Sequence, residues 1–377
     1  MTSETSSRKL EHLKMVVTSK VEAAESTLLE YVRIVHNPLP DLDLDEIDLE
    51  VDFCGGKLKA PLIITGMTGG HPDVAWINRD LASLAEELGI AMGVGSQRAA
   101  IEDRRLEETF RIARKAAPNA FLIANLGAPQ LSKGYGLEEV VRAIEMIDAD
   151  AIAIHFNPAQ EAFQDEGDPY FSHVITKIVE AVERAGKPLI AKEVGTGLSR
   201  EFVAQLRSLG VRCFDVAGLG GTNWVKVEVL RSKAKHGAPL KPAGPLADYW
   251  GNPTALAIIE AREAARDAYI VGSGGVRNGL EAAKAIALGA DAAGLALPAA
   301  RSLLSGGKES VKKLLESIIY QIKVAVFLTG EKRVRGLWRA PIVVWGRLRE
   351  EVQNRGIDID YYIRVTRLEA LMYKEVK

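Results

Sequence analysis

Eight short apolar runs alternate with longer segments along the middle of this chain. Each run has four or five residues, as buried strands do, and most intervening segments repeat apolar residues at helical spacing. Such alternation predicts a parallel sheet covered by helices. The runs span residues 62–65, 90–94, 121–125, 151–155, 189–192, 213–216, 268–271 and 292–295. The clearest helical segments are 75–88, 106–117, 137–147, 173–185 and 280–288.

The number of runs favours a closed barrel over an open sheet. Eight units fit an α/β fold of the (β/α)8 TIM-barrel type, whereas doubly wound sheets more often have about five to seven strands. We therefore expect a barrel over residues 61–306, flanked by an N-terminal helical extension over 1–60 and a C-terminal helical extension over 307–377 packed on the barrel.

Three segments outside the regular repeat have their own predicted forms. Residues 8–36 resemble an amphipathic helical lead-in, and residues 41–60 a short strand or hairpin that closes the barrel bottom. Residues 218–251 are rich in Gly, Pro and Lys, and a loop of that length inside a domain is usually a lid or a binding loop. We expect a mobile flap there.

Composition limits the classes of function and the cellular setting. A hydrophobic share of 47% over 377 residues suffices for a large core, while a net charge of −2 argues against a nucleic-acid partner. Cys54 and Cys213 are far apart and lack metal-ligand spacing, so we expect neither a disulfide nor a zinc site. No window has the roughly 18 apolar residues of a membrane span. The expectation is a soluble cytoplasmic protein.

Polar residues directly follow the fourth apolar run, in the sequence AIHFNPAQEAFQDEGD at 153–168. In a barrel, the carboxyl ends of the strands carry the active site. Glu161 offers a hard oxygen to a divalent metal, and Asn157 and Gln160 offer neutral donors and acceptors. His155 fits either a general acid or base or a hydrogen-bonded structural group.

Several other residues fit an anionic ligand at the same rim. Lys192 ends an apolar run, where its ammonium either stabilises an anionic ring, forms a Schiff base or pairs with an acid. GSGGVRNG at 272–279 opens a helix and fits a phosphate site completed near Ala296 and Leu297, or a tight turn. Arg277 stands where a dinucleotide fingerprint needs glycine.

Seven motifs taken together resemble the type 2 isopentenyl-diphosphate isomerase family over nearly the whole chain. Single motifs occur in other FMN barrels, but the combination of HFNPAQE with RKxEH and SQR is specific to this family. The motifs are RKLEH at 8–12, GMTGG at 66–70, GSQR at 95–98, NLGAPQL at 125–131, HFNPAQE at 155–161, GLGGTNW at 218–224 and GSGGVRNG at 272–279.

The resemblance implies interconversion of isopentenyl and dimethylallyl diphosphate by reduced FMN with Mg²⁺ and no net redox change. It also implies NADPH as reductant and a homo-oligomer, a tetramer or an octamer. It assigns FMN to Thr65, Gly66, Met67, Thr68, Ser96, Asn125, Lys192, Thr222, Gly275, Val276, Arg277, Ala296 and Leu297. It assigns substrate to Arg8, Lys9, His12, Ser96, Gln97, Arg98, His155, Asn157 and Gln160, catalysis to Gln160, His155 and Lys192, and the metal to Glu161.

Two other functions fit parts of the same pattern. An FMN-dependent barrel oxidoreductase of the hydroxy-acid oxidase type would share the phosphate loops and Lys192. Such an enzyme usually needs a His and Arg pair late in the barrel, where this chain has GGTNW at 220–224. A non-catalytic flavin- or phosphate-binding module would explain the glycines but not the cluster of Asn157, Gln160 and Glu161.

Arg8, Lys9 and His12 also have two interpretations. They either bind an anionic substrate or form a solvated helix face.

Overall fold

Eight of the twelve strands in the described part of the chain close into a parallel barrel. The structure is a computed structural model that describes residues 4–375, without the side chains of residues 4–8, 14 and 375. In chain order the strands are β1 (Val32–Ile34), β2 (Val51–Phe53), β3 (Gly56–Leu58), β4 (Leu62–Ile64), β5 (Ala91–Gly93), β6 (Leu122–Gly127), β7 (Ala151–His155), β8 (Leu189–Lys192), β9 (Cys213–Asp215), β10 (Tyr269–Ser273), β11 (Ala292–Leu295) and β12 (Ile342–Val344).

Helices follow most barrel strands and cover the outside of the barrel. They are α1 (Glu4–Thr18), α2 (Ala75–Leu88), α3 (Arg98–Glu102), α4 (Glu108–Ala116), α5 (Ala128–Ser132), α6 (Leu137–Met146), α7 (Pro158–Phe163), α8 (Val174–Arg184), α9 (Arg200–Ser208), α10 (Trp224–His236), α11 (Leu246–Tyr249), α12 (Thr254–Ala264), α13 (Gly279–Ala287), α14 (Leu297–Phe327), α15 (Gly346–Asn354), α16 (Ile359–Tyr361) and α17 (Arg367–Glu375). Short 3₁₀ turns lie at Leu29–Tyr31, Leu44–Glu46, Pro72–Val74, Arg104–Leu106 and Val334–Trp338, and a π-helical turn at Tyr362–Thr366.

The barrel closes in chain order, with β11 pairing back onto β4 through Ala293 opposite Leu62. Nearly every barrel-strand residue is buried, because one face fills the barrel and the other packs on helices. This burial on both faces explains the continuous apolar runs. All eight predicted strands are confirmed to within two residues at either end, as are the five predicted helices.

The N-terminal segment differs from the single helical lead-in expected over 8–36. Helix α1 ends at Thr18, and residues 32–34 form β1, which pairs antiparallel with β12 through Val32 opposite Val344. A hairpin is present within 41–60 as β2 and β3. Its fully buried Phe53 contacts Phe121 and Tyr269, with ring centroids 5.7 and 6.0 Å away, where β6 and β10 begin. The hairpin therefore lies at the amino-terminal end of the barrel.

Half of residues 218–251 is helical, so the expectation of one long flap was wrong. Helix α10 provides 13 residues and α11 another four. Helix α10 points two charged side chains, Glu228 and Arg231, toward the interior, and both are buried. Those charges hide the apolar periodicity from which a helix is predicted.

The C-terminal extension is tied to the barrel by buried charges. Helix α14 crosses the expected boundary at 306–307 but breaks at Gly307, whose φ is 71°. Asp291, just before β11, binds Arg262 at 2.7 Å and lies 3.5 Å from Lys374 of α17. Burial lowers the pKa of Lys374 to about 8, although Asp291 opposes the shift. No helix of the described residues has the length and apolarity of a membrane span.

Cys54 and Cys213 form a disulfide, contrary to the expectation from their spacing. The two residues are 159 positions apart, with Cα atoms separated by 6.3 Å. Cys54 lies in the turn between β2 and β3, and Cys213 begins β9. The hairpin brings them together beneath the barrel, an arrangement that spacing alone cannot show.

We expect Cys54→Ser to lower the free energy of unfolding by about 2–4 kcal/mol, because the bridge restricts the unfolded chain. Denaturant unfolding of the wild type and the variant without reductant measures the difference. Under strong reductant, the two midpoints should converge. Two free thiols per chain in the denatured, unreduced wild type would contradict the assignment.

Candidate active site

One large cavity opens at the carboxyl ends of the barrel strands, and α1 and α10 cover part of it. The cavity brings together residues that are up to 291 positions apart in sequence, from Lys9 to Ala300. Among the predicted site residues, those lining it are Lys9, His12, Thr65, Gly66, Met67, Thr68, Ser96, Arg98, Asn125, His155, Asn157, Gln160, Glu161, Lys192, Thr222, Ala296 and Leu297. Their proximity makes a common site possible, while their individual roles remain predictions.

Gln97 does not line the cavity, and its predicted contact with substrate stays a prediction. Its side chain is fully buried, and its Nε2 donates to the Ala143 carbonyl at 2.9 Å. Its Oε1 accepts the backbone N–H of Asn125 at 2.8 Å. Gln97 therefore stabilises the barrel wall where β5 and β6 end. The side chain of Arg8 lies outside the described residues.

The predicted phosphate loop only partly lines the cavity. Gly274 lines the cavity with Ser273, but Gly275, Val276 and Arg277 do not. Gly275 packs on Gly220, Val276 is buried in the core, and the Arg277 N–H donates to Glu281 at 2.7 Å. The Arg277 N–H is thus engaged by Glu281, and the assignment of Gly275, Val276 and Arg277 to FMN stays a prediction.

His155 is held as a neutral hydrogen-bonding group. Its Nδ1 lies 2.7 Å from Asn125 Oδ1, while Asn125 Nδ2 donates to the Val94 carbonyl at 3.0 Å. This places the imidazole proton on Nδ1. Burial, reinforced by the positive charges of Lys9 and Lys192, lowers the pKa of His155 to about 3. A role as proton donor near neutral pH, included in the catalytic expectation, therefore conflicts with its surroundings.

The cluster at the start of α7 is preorganised by hydrogen bonds. Asn157 Nδ2 donates to Gln160 Oε1 at 3.1 Å and to Glu161 Oε1 at 2.9 Å. Glu161 Oε2 accepts the backbone N–H of Asp168 at 2.7 Å. The Glu161 carboxylate is therefore fixed at the cavity wall with its orientation set by two donors.

Glu228 is a site residue that sequence reasoning missed. Its Oε1 accepts from Gln160 Nε2 at 2.9 Å and lies 2.8 Å from His12 Nε2. Arg231 Nε donates to its other oxygen at 2.8 Å. Although burial opposes ionisation, His12 and Arg231 hold the pKa of Glu228 at about 2. The signal available was the Glu228 and Arg231 pair at i, i+3 spacing, one helical turn apart.

Asp215 was missed for a different reason. It ends β9, in register with Lys192 on β8, and its Oδ2 lies 2.5 Å from Lys192 Nζ. Ser273, at the end of β10, donates to the other carboxylate oxygen. Asp215 lies inside the predicted run 213–216, whereas site residues were sought after the runs. The rule that polar residues at strand ends form the site nevertheless pointed to this position.

Arg98, a predicted anion ligand, already has acidic partners. Its Nε donates to Glu102 at 2.7 Å, and one terminal nitrogen donates to Asp168 at 2.9 Å. Asp168 also pairs with Lys133. A diphosphate bound by Arg98 would therefore have to compete with Asp168 for the guanidinium.

Two buried polar atoms indicate that the cavity fits a polar ligand. Thr68 Oγ1 and Asn157 Oδ1 have no hydrogen-bond partner among the residues that the structure describes, and both residues line the cavity. Buried groups of this kind normally bind something. These atoms, with Lys192 at the inner end, fit a flavin and a polar substrate.

The metal expectation fits only if the substrate supplies further ligands. No group of three or more His, Cys, Asp or Glu side chains suited to a metal occurs among the described residues. Glu161 and the free amide oxygen of Asn157 are nonetheless the hard donors that Mg²⁺ prefers. Mg²⁺ is commonly held by one or two carboxylates together with substrate phosphates.

Comparisons with known proteins agree with this geometry. Residues 244–344 match the FMN-dependent dehydrogenase family. The chain is 72% identical over 377 residues to an isopentenyl-diphosphate delta-isomerase of Aeropyrum pernix, covering 100% of both proteins. It is 52% identical over 354 residues to the enzyme of that name from Ignicoccus hospitalis, covering 94% of this chain and 98% of the relative.

Solved structures support the same fold at much lower identity. A lactate oxidase of Pediococcus acidilactici superposes with a TM-score of 0.66 at 16% identity, covering 90% of this chain and 91% of the other. A mandelate oxidase variant gives 0.60 at 16% identity, with coverages of 89% and 95%. These likenesses show the fold alone, whereas the long, high-identity matches show the family. The chain therefore belongs to the FMN-dependent, type 2 family of isopentenyl-diphosphate delta-isomerases.

Proposed function

We propose that this protein interconverts isopentenyl and dimethylallyl diphosphate in isoprenoid biosynthesis, using reduced FMN and Mg²⁺ without net redox change. The observation that carries the proposal is the meeting of Asn157, Gln160 and Glu161 with Lys192 in one cavity. The family membership supports it. NADPH as reductant, a tetrameric or octameric assembly and a cytoplasmic location complete the proposal.

The reaction moves a proton on an unactivated alkene, which builds positive charge on a tertiary carbon. Bound reduced FMN supplies an acid and base group and an electron-rich ring for this chemistry. Lys192 provides the fixed cation that favours an anionic reduced ring. Thr68 Oγ1, with no partner among the described side chains, is available to a ring heteroatom.

The diphosphate end of the substrate would be held by the polar side of the cavity. Lys9, His12, Ser96, Arg98 and Asn157 all line the cavity and would form that side. Glu161 would bind Mg²⁺ together with phosphate oxygens, and diphosphate would replace Asp168 beside Arg98. Binding energy from this non-reacting end would fix the alkene in place.

Gln160 has the role of an oriented amide in this proposal. Its Nε2 donates to Glu228 and its Oε1 accepts from Asn157, so both ends of the amide are held. A neutral amide is too weak an acid to protonate an alkene unaided. Gln160 therefore positions the substrate or relays a proton, and Glu228 fixes which end faces the cavity.

The hydroxy-acid oxidase alternative has less support from the site. That chemistry needs a base and a cationic grip for a carboxylate late in the barrel. After β9 the cavity instead receives Ala217, Thr222 and Trp224. His155 lies on β7 and is neutral, so it does not fill the missing position.

The decisive experiment is anaerobic turnover of isopentenyl diphosphate by purified protein with FMN and Mg²⁺, before and after chemical reduction of the flavin. We expect dimethylallyl diphosphate only after reduction. NADPH in place of the chemical reductant tests that part of the proposal separately. A yellow protein that is inert in both states would instead favour the oxidoreductase.

Glu161→Gln should raise the Mg²⁺ concentration needed for half-maximal turnover by at least about tenfold, because even loss of an outer-shell partner costs 10–100-fold at metal sites. FMN affinity should stay unchanged, as read from flavin fluorescence. Glu138→Gln is a matched control, since it removes an exposed carboxylate that does not line the cavity. Loss of FMN from Glu161→Gln would contradict the assignment.

His155 should remain neutral from pH 5 to pH 8 in the substrate-free protein, because its pKa is lowered from 6.5 to about 3. NMR of ¹⁵N-labelled histidine, assigned with a His155→Asn variant, measures this directly. Lys9→Gln should raise the His155 pKa by removing one of the cations that lower it. A His155 that titrates near 6.5 would refute the neutral tautomer.

A further inference from the structure

Three consecutive barrel strands place one buried carboxylate between a cation and a hydroxyl. Lys192 ends β8, Asp215 ends β9 and Ser273 ends β10. The strand registers align Lys192 with Asp215, and Asp215 with Val271 two residues before Ser273. Because parallel strands end at a common level, these side chains meet inside the barrel mouth.

Both carboxylate oxygens of Asp215 are used, each by a different donor. Oδ2 lies 2.5 Å from Lys192 Nζ, and Oδ1 accepts from Ser273 Oγ. The relative exposures of Asp215, Lys192 and Ser273 are 5%, 8% and 3%. A buried ammonium without a counter-charge would be costly, so the pair is held together.

Lys192 and Asp215 share one small cavity in the barrel interior. That cavity is also lined by Thr65, Gly66 and Asn125, and these three residues line the large cavity above it as well. Lys192 contributes to both cavities, whereas Asp215 lines only the inner one. Asp215 therefore lies deeper in the barrel than the large cavity, where it is buried beside Lys192.

We propose that Asp215 is a positioning residue that sets how much positive charge Lys192 presents to the flavin. This inference rests on the proposed function in one respect, the placing of the flavin beside Lys192. Without Asp215, a full positive charge would face the ring and overstabilise its anionic reduced form. With Asp215, the pair is nearly neutral overall and the reduced ring stays basic enough to exchange a proton with the substrate.

The test is Asp215→Asn, which keeps the size of the side chain and removes its charge. Its flavin midpoint potential, from anaerobic dye equilibration, should become more positive than that of the wild type. Reduced FMN should bind more tightly relative to oxidised FMN by about tenfold or more, because a unit charge is removed within the buried site. A tenfold change corresponds to about 30 mV for a two-electron couple.

Two further variants separate charge from shape. Ser273→Ala removes a hydrogen bond to Asp215 but leaves the carboxylate, so its potential should stay close to the wild-type value. Asp215→Glu restores the charge and should move the potential back toward the wild type. If Asp215→Asn does not fold, Asp215→Ser carries the same expectation, because it also removes the charge.

Steady-state kinetics adds a readout that loosened packing would not give. Asp215→Asn should lower kcat with little change in KM, because the diphosphate side of the cavity is untouched. An unchanged potential and an unchanged ratio of FMN affinities in a folded, flavin-bound Asp215→Asn or Asp215→Ser would overturn the inference. Failure of the proposed function is distinguishable, since it appears as absent isomerase turnover in the wild type while the potentials are still measurable.

Discussion

Closure of the parallel sheet is the constraint on which the whole site depends. Because β11 pairs with β4, the strand ends form a ring, and residues from opposite ends of the sequence become neighbours. Thr65, which follows the first barrel strand, donates its N–H to Leu295 at the end of the last one, at 2.9 Å. Only a closed ring brings Thr65, Lys192 and Leu297 to one cavity.

Charge balance is the second organising principle of this site. Lys192 is balanced by Asp215, Arg231 by Glu228, and Arg98 by Asp168. The first two pairs are buried, so breaking them would be expensive. Arg98 is more accessible, with 23% of its side chain exposed. Arg98 can therefore exchange its carboxylate partner for a diphosphate most easily. Lys192, which would lie beside the flavin, is among the residues that would exchange theirs least easily.

Sequence reasoning succeeded where one physical rule acted alone. Burial on both faces produces continuous apolar runs, so the strands, the barrel and the polar residues at its rim were all predictable. It failed where three-dimensional context overrides the local pattern. The charged residues Glu228 and Arg231 on the inward face of α10 interrupt the apolar pattern from which a helix is predicted. The pairing of Cys54 with Cys213 could be predicted only after the hairpin had been placed.

The antiparallel pairing of β1 with β12 has a consequence for biosynthesis. Helix α1 supplies Lys9 and His12 to the cavity, and the segment that follows it is secured by β12, about 310 residues later in the chain. During translation, α1 can pack on α10 once residues 224–236 have emerged, whereas β1 must wait for β12. A nascent chain that stops before residue 342 would therefore leave β1 unpaired while α1 already borders the cavity. Docking of α1 and pairing of β1 are thus separate steps of folding.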